Sequence, residues 1–323
     1  MIKVLKPGLA TSVQDLGREG YYHLGIPPSG ALDQYALSAA NCLVGNPAGA
    51  AALECTLLGP ELEFTVDALV AVSGAHMAAR LDGVQMPHDT AFAVCAGQVL
   101  RFDFPKIGAR TYIAVAGGID VPLVLGSRST YALGALGGYQ GRRLAAGDEL
   151  PIGEPSGQGK VGASLPMALR QALGGEIELR VVPGLYYDRL LPTAAKSFFA
   201  EPWTVGSEAD RIGYRFKGGS ALQFQPREQP FGAGSDPSNI VDSCYPIGSI
   251  QVPAGLEPIV LHRDAVSGGY AMIGTVISAD LDLIGQMQPN QKAHFVEVSL
   301  EDALLARQHY KKKLKRMSEL FLS

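Results

Sequence analysis

A chain of 323 residues exceeds the usual single-domain range, so two domains of about 150 residues each are expected. Its 47% hydrophobic content suffices for buried cores, and 39 glycines and 21 prolines scattered among apolar runs predict short strands joined by tight turns. A net charge of −4 argues against the basic face of a nucleic-acid binder, and no apolar run approaches the ~20 residues of a membrane span.

In chain order, Met1-Ile2-Lys3-Val4-Leu5-Lys6-Pro7 reads as a strand and a turn, not as a basic region ahead of an apolar targeting segment. Residues 33–44 put Ala36, Ala39, Ala40 and Leu43 on one stripe and stop at Gly45-Asn46-Pro47, which predicts a helix. Asn46 is expected to cap a second short helix through Ala52, with Pro47 at its first position. Glu61 to Asp67 alternates strictly, as does Glu176 to Val181, and Leu100, Phe102 and Phe104 alternate with Arg101 and Asp103. Period two places one face inward and one in water, so the expected fold class is mainly β, with a few short helices.

Residues 153–162 are rich in Gly, Ser and Pro, which divides the chain into halves at 1–153 and 171–298 joined by a linker at 154–170. Gly157 to Gly162 spells G-x-G-x-x-G, but a Pro-Ser turn precedes it and Ala163-Ser164-Leu165-Pro166 follows. The phosphate-binding version needs a strand before it and a helix after it, so these glycines read as linker. A C-terminal helix is expected over 299–323, with Ser299 capping and Asp302 completing a capping-box-like pair. Its basic run, residues 311–316, reads as a solvated face, with contact to an acidic partner or phosphate as the alternative.

The four cysteines are sparse, and with no targeting segment they read as reduced thiols in cytoplasm. Cys42, Cys55 and Cys95 sit among apolar neighbours and read as inert, whereas Cys244 lies in a polar, turn-rich context. No G-x-x-x-x-G-K-[ST] loop, G-x-S-x-G elbow, H-E-x-x-H or paired C-x-x-C occurs, and the six histidines lack ligand spacing. No metal is therefore expected, and any ATP must be held by other means or by another chain. No Met-Lys-Met occurs either, so no biotin is expected to be attached here.

Two segments are dense in turn glycines and polar groups. One runs from Gln14-Asp15-Leu16-Gly17-Arg18 through Tyr22-His23 and Pro27-Pro28-Ser29-Gly30 to Asp33, and the other is His262-Arg263-Asp264-Ala265-Val266-Ser267-Gly268-Gly269-Tyr270. Together with Leu57-Leu58-Gly59-Pro60, Ala116-Gly117-Gly118-Ile119-Asp120, Leu125-Gly126-Ser127-Arg128-Ser129, Asp210-Arg211-Ile212-Gly213-Tyr214 and Ile250-Gln251-Val252-Pro253, they resemble one family. It is the carboxyltransferase-domain family, which includes the C-type subunit of 5-oxoprolinase, allophanate hydrolase subunit 2 and the carboxyltransferase part of urea amidolyase. The resemblance spans roughly residues 3–298, in family order.

That resemblance implies two cyclophilin-like β-barrel halves. It also implies a homologous partner, like the B-type subunit of 5-oxoprolinase or allophanate hydrolase subunit 1. A lactam-utilisation subunit is implied in 5-oxoprolinase, where ATP drives cleavage of 5-oxo-L-proline to glutamate. The amidolyase branch instead moves carboxyl from carboxybiotin to urea, and one relative antagonises a kinase inhibitor homologous to the partner. Either chemistry must polarise an amide carbonyl with fixed donors. The implied catalytic residues are His23, Asp264 and Arg18, since imidazole and carboxylate accept protons and guanidinium grips anions. Substrate binding is implied for Ser29, Gly30, Asp33, Arg128, Ser267, Gly268, Gly269 and Tyr270, with Gly268-Gly269 expected to turn through positive φ and converge amides on an anion.

Bland readings stand beside these. Asp15 and Arg18 make a local ion pair, Asp210 pairs with Arg211, Arg128 and Asp280 brace a barrel, and the glycine runs are ordinary turns. The chain also departs from its relatives at two places. Asp242-Ser243-Cys244 replaces Ser-Glu-Gly, and Arg263-Asp264-Ala265-Val266-Ser267 replaces Asp-Arg-Gln-Thr-Thr, which leaves the choice of amide open.

Overall fold

The computed structural model describes residues 1–321, so Leu322 and Ser323, the end of the expected C-terminal helix, lie outside the described residues. The chain divides into two compact units. The first holds Met1–Gly20, Pro28–Leu173 and Lys311–Ser323, and the second holds Tyr21–Pro27 and Gly174–Tyr310. Residues 154–173 thus group with the first unit, and the C-terminal helix is shared between the two.

The first unit is two antiparallel sheets. One has the order Glu149–Leu150, Ile2–Lys6, Glu61–Phe64, Val99–Pro105, Met77–Leu81, Val84–Gln85. The other has the order Ala10–Gln14, Ala52–Thr56, Arg110–Val115, Ala68–Gly74, Ala91–Val94. Alternation decides which side chains face inward: Ile2, Val4, Leu62, Phe64 and Leu100 from the first sheet meet Val13, Leu53, Val70, Val72 and Ile113 from the second in one core. Helix α1 (Gln34–Leu43) lays Ala36, Leu37, Ala40 and Leu43 on the other face of the second sheet, against Ala52, Ala71, Ala91, Tyr112 and Ala114. Because both its faces are covered, Arg110–Val115 is buried along its whole length.

The second unit is a closed barrel in the order Ile177–Pro183, Met272–Val276, Ser249–Gln251, Ile259–Leu261, Gly213–Lys217, Trp203–Val205, Lys292–Glu297. A parallel pairing of Ile177 with Ala293 through Val181 with Glu297 completes the circle. Its interior holds Leu179, Val181, Trp203, Phe216, Ile250, Val260, Ile273 and Phe295. Phe198 of α2 (Pro192–Ala200) stacks on Phe295 at 4.7 Å, and its carbonyl accepts the Trp203 indole N–H at 3.0 Å. Ile284 of α3 (Leu281–Gln286) joins the same core. A two-stranded ribbon, Asn239–Ser243 with Gly268–Tyr270, stands apart from the barrel ladder.

The mainly β class agrees with the alternation, and α1 ends before the predicted Gly45-Asn46-Pro47 stop; its start is capped by the Asp33 carboxylate, which accepts from the Ala36 N–H at 2.8 Å. The second helix expected after Asn46 does not form; Ala52–Thr56 is a strand. Asn46 works as a bridge instead. Its Nδ2 donates to Val115 O at 2.8 Å and its Oδ1 accepts from the Gly117 N–H at 2.8 Å, so the polar group that would cap a helix ties two loops. Helix α4 (Leu300–Phe321) starts at its expected cap: Ser299 Oγ accepts from the Asp302 N–H at 3.0 Å and donates to its carboxylate at 2.6 Å. No helix among the described residues is long and apolar enough to cross a membrane.

Candidate active site

In the first unit the polar segment is organised by Asp15, the residue after Ala10–Gln14. Its buried carboxylate collects four donors. Oδ1 accepts from the Gly17 N–H at 2.7 Å, Ser127 Oγ at 2.6 Å and Ser129 Oγ at 2.5 Å, and Oδ2 accepts from the Arg128 N–H at 2.6 Å. A buried carboxylate persists only when its lone pairs are taken up, and here they fasten residues 127–129 to the turn at 15–17. Asp15 is therefore the hub of a loop crossing, more than the local ion-pair partner of its neighbour. Arg18, 2% exposed, reaches the same loop through backbone carbonyls, donating to Ser129 O and, at 3.4 Å, to Val124 O.

Gly17 and Gly30 let the two strands of this crossing touch. Both have left-handed backbones, at φ +95 and +88, and a Cβ on either would fall 2.7–2.8 Å from backbone atoms of the other segment. Ser29 sits between Pro28 and Gly30 at φ 52, a conformation that serine rarely adopts. It is fully buried, and its hydroxyl has no hydrogen-bond partner. Strain combined with an orphaned donor at one residue makes Ser29 a candidate functional position.

Asp33 belongs to a separate network. Besides capping α1, its carboxylate accepts from Gln171 Nε2 at 3.3 Å, and its N–H donates to the Tyr112 hydroxyl at 2.8 Å. Burial, and then the charges of Glu54 and Asp33, hold the Tyr112 phenol well above its ordinary range, so it stays protonated and donates to Glu54 Oε2 at 2.7 Å. Arg110 approaches Glu54 at 3.7 Å. Glu54 was missed by sequence reasoning, although one acid within the run Ala51-Ala52-Leu53-Glu54-Cys55 was the available signal. Arg128 pairs with Asp120 at 2.7 Å and donates to Val121 O at 2.7 Å, so its guanidinium braces a loop.

Within the second unit, His23 is exposed on a single helical turn, Tyr22–Leu24, closed by Gly25 at φ 71. Asp264 is buried and held by Arg211 at 2.9 and 3.2 Å, a forked pair that takes up both carboxylate oxygens. Asp210 caps its own turn by accepting from the Ile212 and Gly213 N–H groups. Asp280 likewise pairs with Arg180, at 2.6 and 3.0 Å. His262 is fully buried. Its Nδ1 accepts from the Arg263 N–H at 3.0 Å, which leaves Nε2 as the donor to Leu281 O at 3.2 Å.

The expectation for Gly268-Gly269 is corrected. They are not a turn with converging amides; both lie in the strand Gly268–Tyr270, and neither has a positive φ. Pairing with Asn239–Ser243 holds the backbone extended. Glycine is needed at 268 for another reason: a Cβ there would fall 1.8 Å from Gln251 Nε2. Gln251 is buried and that nitrogen has no hydrogen-bond partner. It is a second orphaned donor, missed from sequence because a glutamine beside Val252-Pro253 reads as an ordinary strand end. Ser267 is exposed, and the Tyr270 carbonyl accepts from Tyr245, whose hydroxyl burial pushes up to about 12.

The remaining candidates are excluded by packing. Gly157 and Gly159 lie against the carbonyls of Gly45 and Val44, where any Cβ would come within 2.3 Å, and no helix opens after Gly162. That stretch is shaped by packing and not as a phosphate cradle. Burial pushes the Cys42 and Cys55 thiols up, but Cys95 is exposed like Cys244, because it opens the turn before Gly97. No group of three His, Cys, Asp or Glu among the described residues could hold a metal. Ser29 Oγ and Gln251 Nε2, one in each unit, are thus buried donors without an acceptor.

Comparison with known proteins gives a consistent picture. The family described as carboxyltransferase domain, subdomain A and B, matches residues 24–297. The C-type subunit of the Escherichia coli (strain K12) 5-oxoprolinase is 40% identical over 309 residues, 95% of this chain and 94% of that protein. The urea amidolyase of Saccharomyces cerevisiae is 36% identical over 313 residues, 94% of this chain but 17% of the enzyme. The crystal structure of the K. lactis urea amidolyase superposes with a TM-score of 0.91 at 33% identity, covering 98% of this chain and 20% of that one.

Proposed function

The chain belongs to the carboxyltransferase-domain family of subdomains A and B, and on that footing we propose that it is a subunit of an ATP-dependent 5-oxoprolinase-type assembly. The reaction is cleavage of 5-oxo-L-proline, or a related lactam, to glutamate. The observation that carries this reading is the match, at 40% identity, to 94% of the length of the C-type subunit of the E. coli 5-oxoprolinase. The partners are then a homologous subunit of the B type and a lactam-utilisation subunit, and ATP is held by the assembly. Four free cysteines fit a reducing, cytoplasmic setting.

In this reading Ser29 Oγ and Gln251 Nε2 are separate candidate donors, each within its own unit, whose missing hydrogen bond an incoming carbonyl oxygen completes. His23, exposed on its turn, is the proton acceptor. The backbones of Arg18 and Asp15 position the Ser29 turn, through the Arg18 N–H to Pro28 O and the Ala31 N–H to Asp15 O, and Asp264 positions Arg211. Purified chain combined with its two partner subunits should release glutamate only with both ATP and 5-oxoproline. Association without any ring opening overturns the reading.

The second reading, carboxyl transfer from carboxybiotin on another protein to urea, is supported by the TM-score of 0.91 to a urea amidolyase. Urea-dependent consumption of carboxybiotin by the same preparation, with no glutamate release, selects it.

A further inference from the structure

The second unit carries an open groove of about 610 Å³ between the outside of its barrel and the first turns of α4. One wall is the pair Val182 and Thr275, cross-strand partners where Ile177–Pro183 meets Met272–Val276. Their chain neighbours Val181 and Val276 belong to the barrel core, so alternation turns Val182 and Thr275 outward. Met272 also lines the groove, and its Cε lies beside Gly184, where an added Cβ would fall 3.0 Å away.

The facing wall is helical. Leu300, Ala303, Leu304 and Arg307 follow the i, i+3, i+4, i+7 spacing of one helix stripe, and all four line the groove. A stripe of this kind is normally buried against its own protein. Here Leu300 is 65% and Leu304 49% exposed, and Leu185, which joins them in the lining, is 72% exposed. None of these residues enters the function proposed above.

Charge narrows what the groove is suited to hold. Among the described residues that line it, Arg307 alone is charged. Three and four positions from Arg307 along α4 stand Ala303, Leu304, Tyr310 and Lys311, so no carboxylate on the helix reaches it. No carboxylate elsewhere among the described residues pairs with it. An apolar wall that ends at one unpaired guanidinium complements a molecule of the same asymmetry, an apolar chain with a single carboxylate. A multiply charged anion would lose hydration against hydrocarbon without a second cation to replace it, and an ammonium would meet Arg307 as a like charge. At about 1.5 Å per residue, Leu300 to Arg307 covers roughly 10 Å of α4, close to the extended length of a chain of about eight carbons.

We propose that this groove binds a medium-chain amphipathic carboxylate, with its carboxylate on Arg307 and its chain along Leu304, Leu300 and Val182.

The test is methyl NMR of the full chain with ¹³C-labelled methionine, titrated with octanoate, the Met272 signal being assigned with Met272→Leu. The expected result is a saturable shift of the Met272 methyl, out of seven methionines. Hexanoate should bind roughly fivefold more weakly, through the loss of two partly buried methylenes. Arg307→Ala should weaken octanoate about tenfold, and octylammonium, of equal length and opposite charge, should give no saturable shift. Ala303→Trp, which fills the groove, should abolish binding, and Lys315→Ala, beyond the stripe, should leave it unchanged. Three outcomes overturn the proposal: a shift that does not saturate, octylammonium binding as tightly as octanoate, or an unchanged affinity in Arg307→Ala. A dimer, or a complex with the two partner subunits, that Leu304→Glu disrupts while octanoate fails to bind gives this face to a protein and overturns it as well. If Ala303→Trp fails to fold, Arg307→Ala and octylammonium decide, because the Arg307 side chain is exposed and its removal leaves the packing intact.

Discussion

Gly268 and Gly269 occupy one strand yet differ in what they touch, which makes them a clean pair for substitution. An added methyl at 268 collides with the Gln251 amide, whereas at 269 the nearest atoms are 3.9 Å away. Neither needs a left-handed backbone. Gly268→Ala should therefore cost only about 1–2 kcal/mol of stability, since the end of a flexible side chain can yield. Displacing Gln251 should lower turnover of the assembly more than about tenfold. Gly269→Ala should change neither. A melt and a turnover assay on both variants check this, and full activity in Gly268→Ala would remove Gln251 from the site. A second residue-level outcome concerns Asp148, whose carboxylate is held below its usual range by both Arg142 amino groups, at 2.7 and 2.8 Å, and by the Ala145 N–H. A depressed folded-state value contributes stability above the unfolded range, near pH 4, and loses it as pH falls through the lower value. Asp148→Asn should thus lower the urea midpoint at neutral pH, with the deficit shrinking below about pH 4. An equal deficit at all pH values would show that charge plays no part.

Among the elements, α4 combines a local start with a distant finish. Ser299→Ala removes one capping hydroxyl, worth about 1 kcal/mol, so the amides of Asp302 and Ala303 should exchange roughly fivefold faster while the global melt moves little. Its far end is fixed by packing. Met317 is fully buried and Phe321 packs with the cluster around Leu37 and Tyr112. The basic run is solvated at Lys311, Lys312, Lys315 and Arg316, but Lys313 turns inward, 4.6 Å from the Tyr35 ring centre, with its amine donating to Arg170 O at 3.4 Å. Burial lowers the Lys313 titration, offset in part by the charge of Asp33. Charge counting along the sequence could not single out this lysine, because helical phase relative to a distant sheet decides which of the four lysines faces inward.

At the scale of the molecule, neither unit is a continuous stretch of chain. The first draws on residues 311–323 and the second on residues 21–27. A fragment ending at Leu173 therefore lacks Met317 and Phe321, and it leaves apolar surface of α1 bare. It should melt well below the full chain or aggregate, and adding a peptide of residues 300–321 should restore part of the loss. An unaided fragment with a cooperative melt equal to that of the intact protein would contradict this. Each unit keeps a hydrophobic core of its own, so calorimetry should resolve more than one transition.

Features set by near neighbours were legible in the sequence: the alternating strands, the Ser299 cap and the limits of α1 each depend on residues within about four positions, where side-chain spacing and cap chemistry suffice. The family was legible too, because its motifs run in order along nearly the whole chain. Tertiary structure alone decided the rest. The bonds from Asp15 to Ser127 and Ser129 span more than 110 residues, and the pair of Arg211 with Asp264 spans 53. Gly268-Gly269 has the composition of a turn, yet it is a strand because Asn239–Ser243 offers it a hydrogen-bonding edge and Gln251 fills the space a side chain would need. Which donor is left without an acceptor depends on every atom that closure of the chain brings near it. No window of sequence holds that information.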